Sequence, residues 1–518
     1  MGAIKIPKND KKSPRWLLDL EEWRIQPYTE VSKDILASEG YGVVSYTWGF
    51  IANWKKPVPP SELPDGVIWN VPTTSRWTLA EAREVMKTIG LLDAKGEEIG
   101  KQLHIYRNSK KSIVWLHSTS WAEESALKKI LLLGMTRPGD ADPEIVRKHT
   151  ADVEQWIQTA QKEERWLKSG WTLQEGVLLG DTLLIDSNGK PFSDERFYNE
   201  AQATVRDLSI PISVLAHNLA SAYFIHVEGH DPDPVRPGAG QFGNLLPKSP
   251  NSALWLRRSI KFLVETGLVF YFRGSPLYIL AGKQSREYKY VEDSCWALIG
   301  AMELENVKVE YGIPMDDVKR QFLSALIAKN QWEMFFLPLP ECRIKEKAKE
   351  GTVERKFRWL SIADGALLPL GLFLVESHPS PGFTEDNLPQ IIFSDEHFGS
   401  DDLRLKAKEG QVIGLFRAAK ETVTWFRHYR QDEDGLRIVS PRVVAFAEDA
   451  LFESAWFLPL WDVDIKGEIR GKRCVLLLRF NGESAAQPAR AAFGGMIDIW
   501  GIGTERIEID EIILDPTP

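Results

Sequence analysis

Between residues 41 and 186 the hydrophobic period keeps switching between two and about 3.6 residues, and this switching restricts the fold more than any other feature of the chain. Residues 41–46 form a short β-branched run that ends in Thr47-Trp48-Gly49, the pattern of a buried strand delivering its carboxyl end to a turn. A helix is expected over 78–89. Thr78 and Glu81 have capping-box spacing, Leu79, Ala82, Val85, Met86 and Ile89 share one face, and Gly90 suits the position just past the end. Residues 112–117 read as a second buried strand and 120–133 as a helix ended by Gly134, with Ser120 and Glu123 again at capping-box spacing. A long helix follows over 142–168, with Pro143 in its first turn and Ile145, Val153, Trp156, Ile157 and Ala160 inward. Residues 171–179 then read as a short helix and 182–186 as a strand closed by Ser187-Asn188-Gly189. Alternation of this kind predicts an α/β layer structure with a largely parallel sheet.

At 518 residues the chain is too long for a single typical core, and three parts are expected. Residues 1–193 carry the α/β pattern, 194–340 are mostly helical with a Pro/Gly-rich break over 231–250, and 341–518 open on a charged run. That run, 341–358, is expected to link domains or to form a solvated helix. The rest reads as β-rich, from runs such as 443–446, 475–480 and 507–514. The longest apolar stretch, 267–281, is interrupted by Arg273, Gly274 and Pro276 and is too short to span a bilayer, so two buried strands or a strand and a turn are expected there.

A net charge of -9 and a pI near 5.7 oppose a broad footprint for nucleic acid or an anionic membrane, leaving small molecules or proteins as partners. Cys295, Cys342 and Cys474 are too far apart in sequence to read as a disulfide framework or a thiolate zinc site, which suits a reducing, cytoplasmic compartment. The N-terminal lysines are not followed by an apolar core, so no secretory signal is expected, and Ile6 stands where a myristoylation signal needs Ser or Thr. The 19 tryptophans read as core anchors.

Three motifs read as structural. His226, Glu228, His230, Asp231 and Asp233 lack the order of a metalloprotease site, so a solvated loop and no metal are expected. Gly238, Gly240 and Gly243 have dinucleotide-motif spacing but follow prolines instead of a strand. Asp316 and Asp317 read as a helix N-terminal pair.

Two separated segments carry a resemblance. Val44-Ser45-Tyr46-Thr47-Trp48-Gly49 and Gly170-Trp171-Thr172-Leu173-Gln174-Glu175, the latter preceded by Arg165-Trp166-Leu167-Lys168, resemble the signature of the HET (heterokaryon incompatibility) domain of filamentous fungi. Residues 292–300, followed by Val307, Val309 and Tyr311, are similar to a segment that many members carry after the core domain, so the resemblance covers roughly 15–335. The middle motif departs from it. The family usually has Trp-Ile-Asp and then a Cys and a Gln, whereas this chain has Trp115-Leu116-His117 followed by Ser120 and Glu123. His117 thus stands where an aspartate is expected.

A weaker resemblance is to TIR domains, in which a strand ends in Ser-Tyr and a later Trp-x-x-x-Glu motif supplies the glutamate that cleaves NAD in the enzymatic members. Ser45-Tyr46 and Trp171 with Glu175 match that spacing. The two resemblances imply a TIR/flavodoxin-like parallel-sheet domain with Glu175 as the catalytic residue. Ser45, Tyr46, Trp48, Gly49, His117 and Trp171 would then be substrate-binding, NAD the substrate, and no cofactor or metal would be needed. In open α/β sheets ligands bind beyond the carboxyl ends of the strands, which Thr47-Trp48-Gly49 and His117-Ser118-Thr119 leave. Trp48 could stack on a nucleotide ring and Gly49 could let backbone approach a phosphate. Cleaving a ribosyl C–N bond builds oxocarbenium character that a neighbouring carboxylate stabilises.

Each residue also has a plain structural role open to it. Glu175 could sit on a helix dipole packed by Trp171, Ser45 and Tyr46 could be core, and His117 could be hydrogen-bonded structure. Three functions compete accordingly: a HET-type cell-death or self/non-self effector with an NAD glycohydrolase site, a non-enzymatic interaction or self-assembly module, and a repurposed enzyme of small-molecule biosynthesis. The altered middle motif motivates the second. His117 and the tryptophans motivate the third.

Overall fold

The computed structural model describes residues 13–38, 40–47, 52–90, 93–94, 105–106, 108–133, 143–173, 175, 181–194, 209–212, 214–215, 218–219, 255, 258–259, 262–263, 266, 280, 282–283, 285–336, 343–348, 351–356, 358–365, 386–393, 402–419, 426–432, 435–439, 452–465, 469–480, 488–499 and 505–515. The chain divides into two compact units, Met1–Glu303 and Leu304–Pro518. The first takes in all of 1–193 and most of 194–340. Outside the described residues lie Trp48, Gly49, Gly134, Cys342, the 231–250 break, all but Leu280 of 267–281, the His226 cluster, the Gly238 motif and the 443–446 run.

The described strands of the first unit are β1 (Trp16–Asp19), β2 (Arg24–Pro27), β3 (Gly42–Ser45), β4 (Ala52–Pro57), β5 (Pro72–Thr74), β6 (Asp93–Ala94), β7 (Lys111–Trp115) and β8 (Leu183–Ile185). Among the described residues β3, β7 and β8 form a parallel sheet in that order, with Ser45 opposite Val114 and Trp115 opposite Ile185. Being central, β7 is covered on both faces, and Ser112 to Trp115 are all buried. Along one face Ile113, Trp115 and Ile185 join Leu20, Met86 and Ile89, with Val44 and Tyr46 packed against them. The Leu79–Thr88 helix supplies that cover. Its capping box is formed as the sequence predicts: Thr78 N–H donates to Glu81 Oε2 (2.7 Å), and Glu81 N–H donates to Thr78 Oγ1 (3.2 Å). Gly90 beyond it has φ +75°.

The second helix begins later than its spacing suggests, at Ala126, capped by Ser125, whose hydroxyl accepts from Lys128 N–H at 3.3 Å. Ser120 and Glu123 therefore do not cap it. The cause is tertiary. Trp121 N–H donates to the fully buried Asp186 carboxylate at 3.0 Å, and the Trp121 ring lies edge-on to Phe192, which holds 121–124 in turns. The long helix, Pro143–Glu163, buries Val153 and Ala160 and stops at Glu164, where the backbone becomes extended; a separate turn of 3-10 helix, Arg165–Leu167, follows.

In the second unit the Met315–Asn330 helix carries Asp316 and Asp317 in its first turn, where the exposed N–H groups favour negative charge. The run expected as a linker or helix instead forms a hairpin of β9 (Arg343–Ala348) and β10 (Gly351–Lys356), with Lys345 opposite Glu354. The β-branched Ile344, Thr352 and Val353 favour strand over a solvated helix.

The remaining strands are β11 (Gln390–Phe393), β12 (Leu403–Lys406), β13 (Ile413–Ala419), β14 (Phe426–Asp432), β15 (Gly435–Val439), β16 (Phe452–Ile465), β17 (Ile469–Phe480), β18 (Ala489–Ile499), β19 (Glu505–Ile509) and β20 (Glu511–Asp515). They build a β-rich sheet whose main path runs β11-β12-β20-β18-β17-β16-β13-β19, and of its described pairs only β18 with β20 is parallel. Trp332 and Trp359 anchor helical turns to it, donating through Nε1 to the carbonyls of Pro389 (3.0 Å) and Leu514 (2.9 Å). Both indoles are buried, as expected of core anchors, whereas Trp54 and Trp69 of the first unit are exposed. Among the described residues no helix is long and apolar enough to cross a membrane.

Candidate active site

Because successive residues of a strand point to opposite faces, Ser45 and Tyr46 cannot both look into one site. Tyr46 packs on the core face beneath the Leu79–Thr88 helix. Ser45, 1 % exposed, faces the other way, and its hydroxyl donates to Glu175 Oε2. Ser45 Oγ in turn accepts from Trp166 Nε1 at 2.6 Å, and the Ser45 side chain hydrogen-bonds Tyr106. The single Ser45 proton is thereby spent on the carboxylate, so Ser45 orients Glu175 and is not a free nucleophile.

The supports are buried and the carboxylate is not. Trp166 is fully buried and Tyr106 nearly so, while Glu175 and Trp171 are half-buried. Tyr106 has its hydroxyl pushed well above the usual tyrosine range, first by burial and then by the Glu175 charge, with the Ser45 hydrogen bond opposing. A half-buried carboxylate held by a hydroxyl that is fixed from behind offers an oriented negative charge to a ligand.

The segment Gly170–Thr172 is a single 3-10 turn leading into Leu173 and Glu175. It is tied down from a distant part of the same unit. Gly170 N–H donates to Glu287 O (3.0 Å), and Glu287 N–H donates to Lys168 O (2.7 Å), so residues 285–288 lie along 168–170 like a short strand. The Glu287 side chain pairs with Arg165 and with Lys168 (3.4 Å), which holds its carboxyl below the usual range. Next to it Arg286 is buried: Nη1 lies 2.7 Å from Trp166 O, 3.0 Å from Ser169 O and 3.1 Å from Thr172 Oγ1, and Nη2 donates to Thr266 O. Its guanidinium sits 5.5 Å from the centre of the Trp166 ring. Burial lowers its pKa to about 9, against the opposing charges of Tyr288 and Glu175.

His117 belongs to a different constellation. It is 2 % exposed, and Nδ1 contacts the carboxylate of Glu164. Glu164, with no exposed surface, also accepts from the backbone N–H groups of His117 (3.2 Å), Ser118 (3.0 Å) and Thr119 (3.4 Å) and from Thr119 Oγ1 (3.3 Å). This is a carboxylate cap on the turn that leaves β7.

The structure thus brings Ser45 and Glu175 together, places Tyr46 and His117 in packing and capping roles, and leaves Trp171, within the motif, half-buried. Sequence reasoning missed Tyr106, Glu164 and Arg286 as parts of these constellations. Trp166 was the one support with a signal, since it lies in the block that precedes the Gly-Trp-Thr-Leu-Gln-Glu motif. Among the described residues no group of His, Cys, Asp and Glu side chains could hold a metal. Compared with family models, with curated proteins and with solved structures, the chain gives no match.

Proposed function

We propose that this chain is a HET-type fungal effector of cell death or self/non-self response, acting in the cytoplasm, in which residues 1–193 are a TIR/flavodoxin-like domain that hydrolyses the nicotinamide N-glycosidic bond of NAD. The observation that carries the reading is the Ser45 to Glu175 hydrogen bond, which joins the two segments of the resemblance at the carboxyl end of β3. Glu175 would stabilise positive charge building on the ribosyl carbon as the C–N bond breaks. Nicotinamide leaves with the bonding pair, which neutralises its ring, and water adds to the ribosyl carbon with release of one proton. Ser45, Trp166 and Tyr106 hold the carboxylate for that task. His117, engaged with Glu164, is outside this scheme.

The test is incubation of the full chain with NAD while free nicotinamide is measured. The expected result is release by the parent protein and loss of at least a hundredfold in Glu175→Ala, about the size of a removed electrostatic stabiliser. Release that is unchanged in Glu175→Ala would end the assignment.

A further inference from the structure

A buried cation contributed by sequence far downstream is bound to the loop that leads to Glu175. Arg286 is 6 % exposed, and its acceptors among the described residues are all neutral: three backbone carbonyls and the Thr172 hydroxyl. Three of those four groups belong to the loop that runs from Trp166, the donor to Ser45, to the turn that leads into Glu175. The Trp166 ring lies under the guanidinium, so one arginine touches both Trp166, the donor to Ser45, and Thr172, in the turn that leads into Glu175. Among the described residues the guanidinium has only neutral oxygens as acceptors and its Nε is buried without one, so these contacts leave its charge uncompensated, and a carboxylate is its natural complement.

We infer that Arg286 is a positioning residue for Glu175, fixing the Trp166 to Thr172 loop and supplying the buried positive charge that favours the ionised carboxylate. This rests on Glu175 being the working carboxylate of the proposed site. It adds that residues 285–288 are part of that site. The Glu175 charge raises the Arg286 pKa, against the larger lowering by burial.

The experiment titrates Glu175 in the full chain by carboxyl carbon resonance of selectively labelled glutamate, the signal being assigned by its loss in Glu175→Gln. In Arg286→Gln the Glu175 midpoint is expected to rise by about one pH unit, the lower end of the effect of an adjacent opposite charge, and in Arg286→Lys to stay close to the parent. An unchanged midpoint in Arg286→Gln overturns the inference, whether or not NAD is turned over. Nicotinamide release is followed in the same samples. A parent protein without turnover removes the NAD reading and leaves the titration to decide the role of Arg286.

Where Arg286→Gln does not fold, Glu175→Gln reads the pair from the other side. Loss of the carboxylate should lower the melting midpoint at pH 7 by about 2–4 °C or more, with the penalty shrinking above pH 9 as the guanidinium gives up its proton. A Glu175→Gln protein as stable as the parent across that range overturns it.

Discussion

The ring of Tyr288 fills the space where a side chain on Gly170 would stand. Gly170 is not at positive φ, so the requirement is steric and not conformational. Gly170→Ala is therefore expected to destabilise the chain by about 1–3 kcal/mol, the usual cost of overpacking. Chemical denaturation measures it, and adding Tyr288→Ala should cost less than the two single changes together. Additive costs would mean that the ring is not what excludes the methyl group.

Trp166→Phe keeps an aromatic ring but removes the donor to Ser45 Oγ. The expected loss is about 1 kcal/mol of stability and, in nicotinamide release, a roughly fivefold fall in kcat with KM little changed. Steady-state kinetics separates this from a binding defect. A change confined to KM would argue that Trp166 does not act through Ser45 and Glu175.

Removing the charge of Glu164 tests the turn after β7. In Glu164→Gln an acceptor-only carboxylate becomes an amide whose NH2 group, a donor, cannot accept from the N–H groups of His117, Ser118 and Thr119. About 1–3 kcal/mol of stability should be lost, read from the denaturation midpoint. Stability equal to the parent would remove Glu164 from its capping role.

Alkaline pH should destabilise the first unit. Burial raises the hydroxyls of Tyr41, Tyr106 and Tyr288 above the ordinary tyrosine value; the Glu175 charge adds to the effect at Tyr106, and Arg286 opposes it at Tyr288. Each keeps its proton in the folded chain while an unfolded tyrosine loses its own near pH 10. Their contribution is whole below about pH 10 and declines as pH rises beyond it. Arg286, lowered to about 9, runs the other way, because its burial costs less once it is neutral. Three tyrosines against one arginine give a net fall in melting midpoint between about pH 9.5 and 11. Tyr41→Phe should make that fall shallower, at the cost of the 2.8 Å hydrogen bond to Ile105 O. A midpoint flat across the window would show that these hydroxyls titrate normally.

What the sequence made legible was local. The Thr78 and Glu81 cap and Gly90 beyond it are decided within one helix, and the β-branched run of β3 announces a buried parallel strand by itself. Ser120 and Glu123 have the same spacing as a true cap, yet Asp186 takes the Trp121 N–H from 65 residues away, and no local pattern records that competition. The 341–358 run hid its pairing under charge, since single β-branched residues among consecutive Lys, Arg and Glu look solvated until a partner strand is supplied. At the site, Ser45 and Glu175 were found through motif spacing. Tyr106 and Arg286 come from stretches without clear periodicity, and their roles exist only once the chain has folded around Ser45 and Trp166.

The docking of residues 285–288 along 168–170 bears on how the protein is made. A chain grows at about 5–20 residues per second, so Ser45 and then Glu175 leave the ribosome many seconds before Arg286 does. Throughout that interval β3 and β7 can pair, but the loop ahead of Glu175 lacks the arginine that fastens it. The loop ahead of Glu175 is therefore fastened late in synthesis, once a segment more than a hundred residues beyond it has been translated.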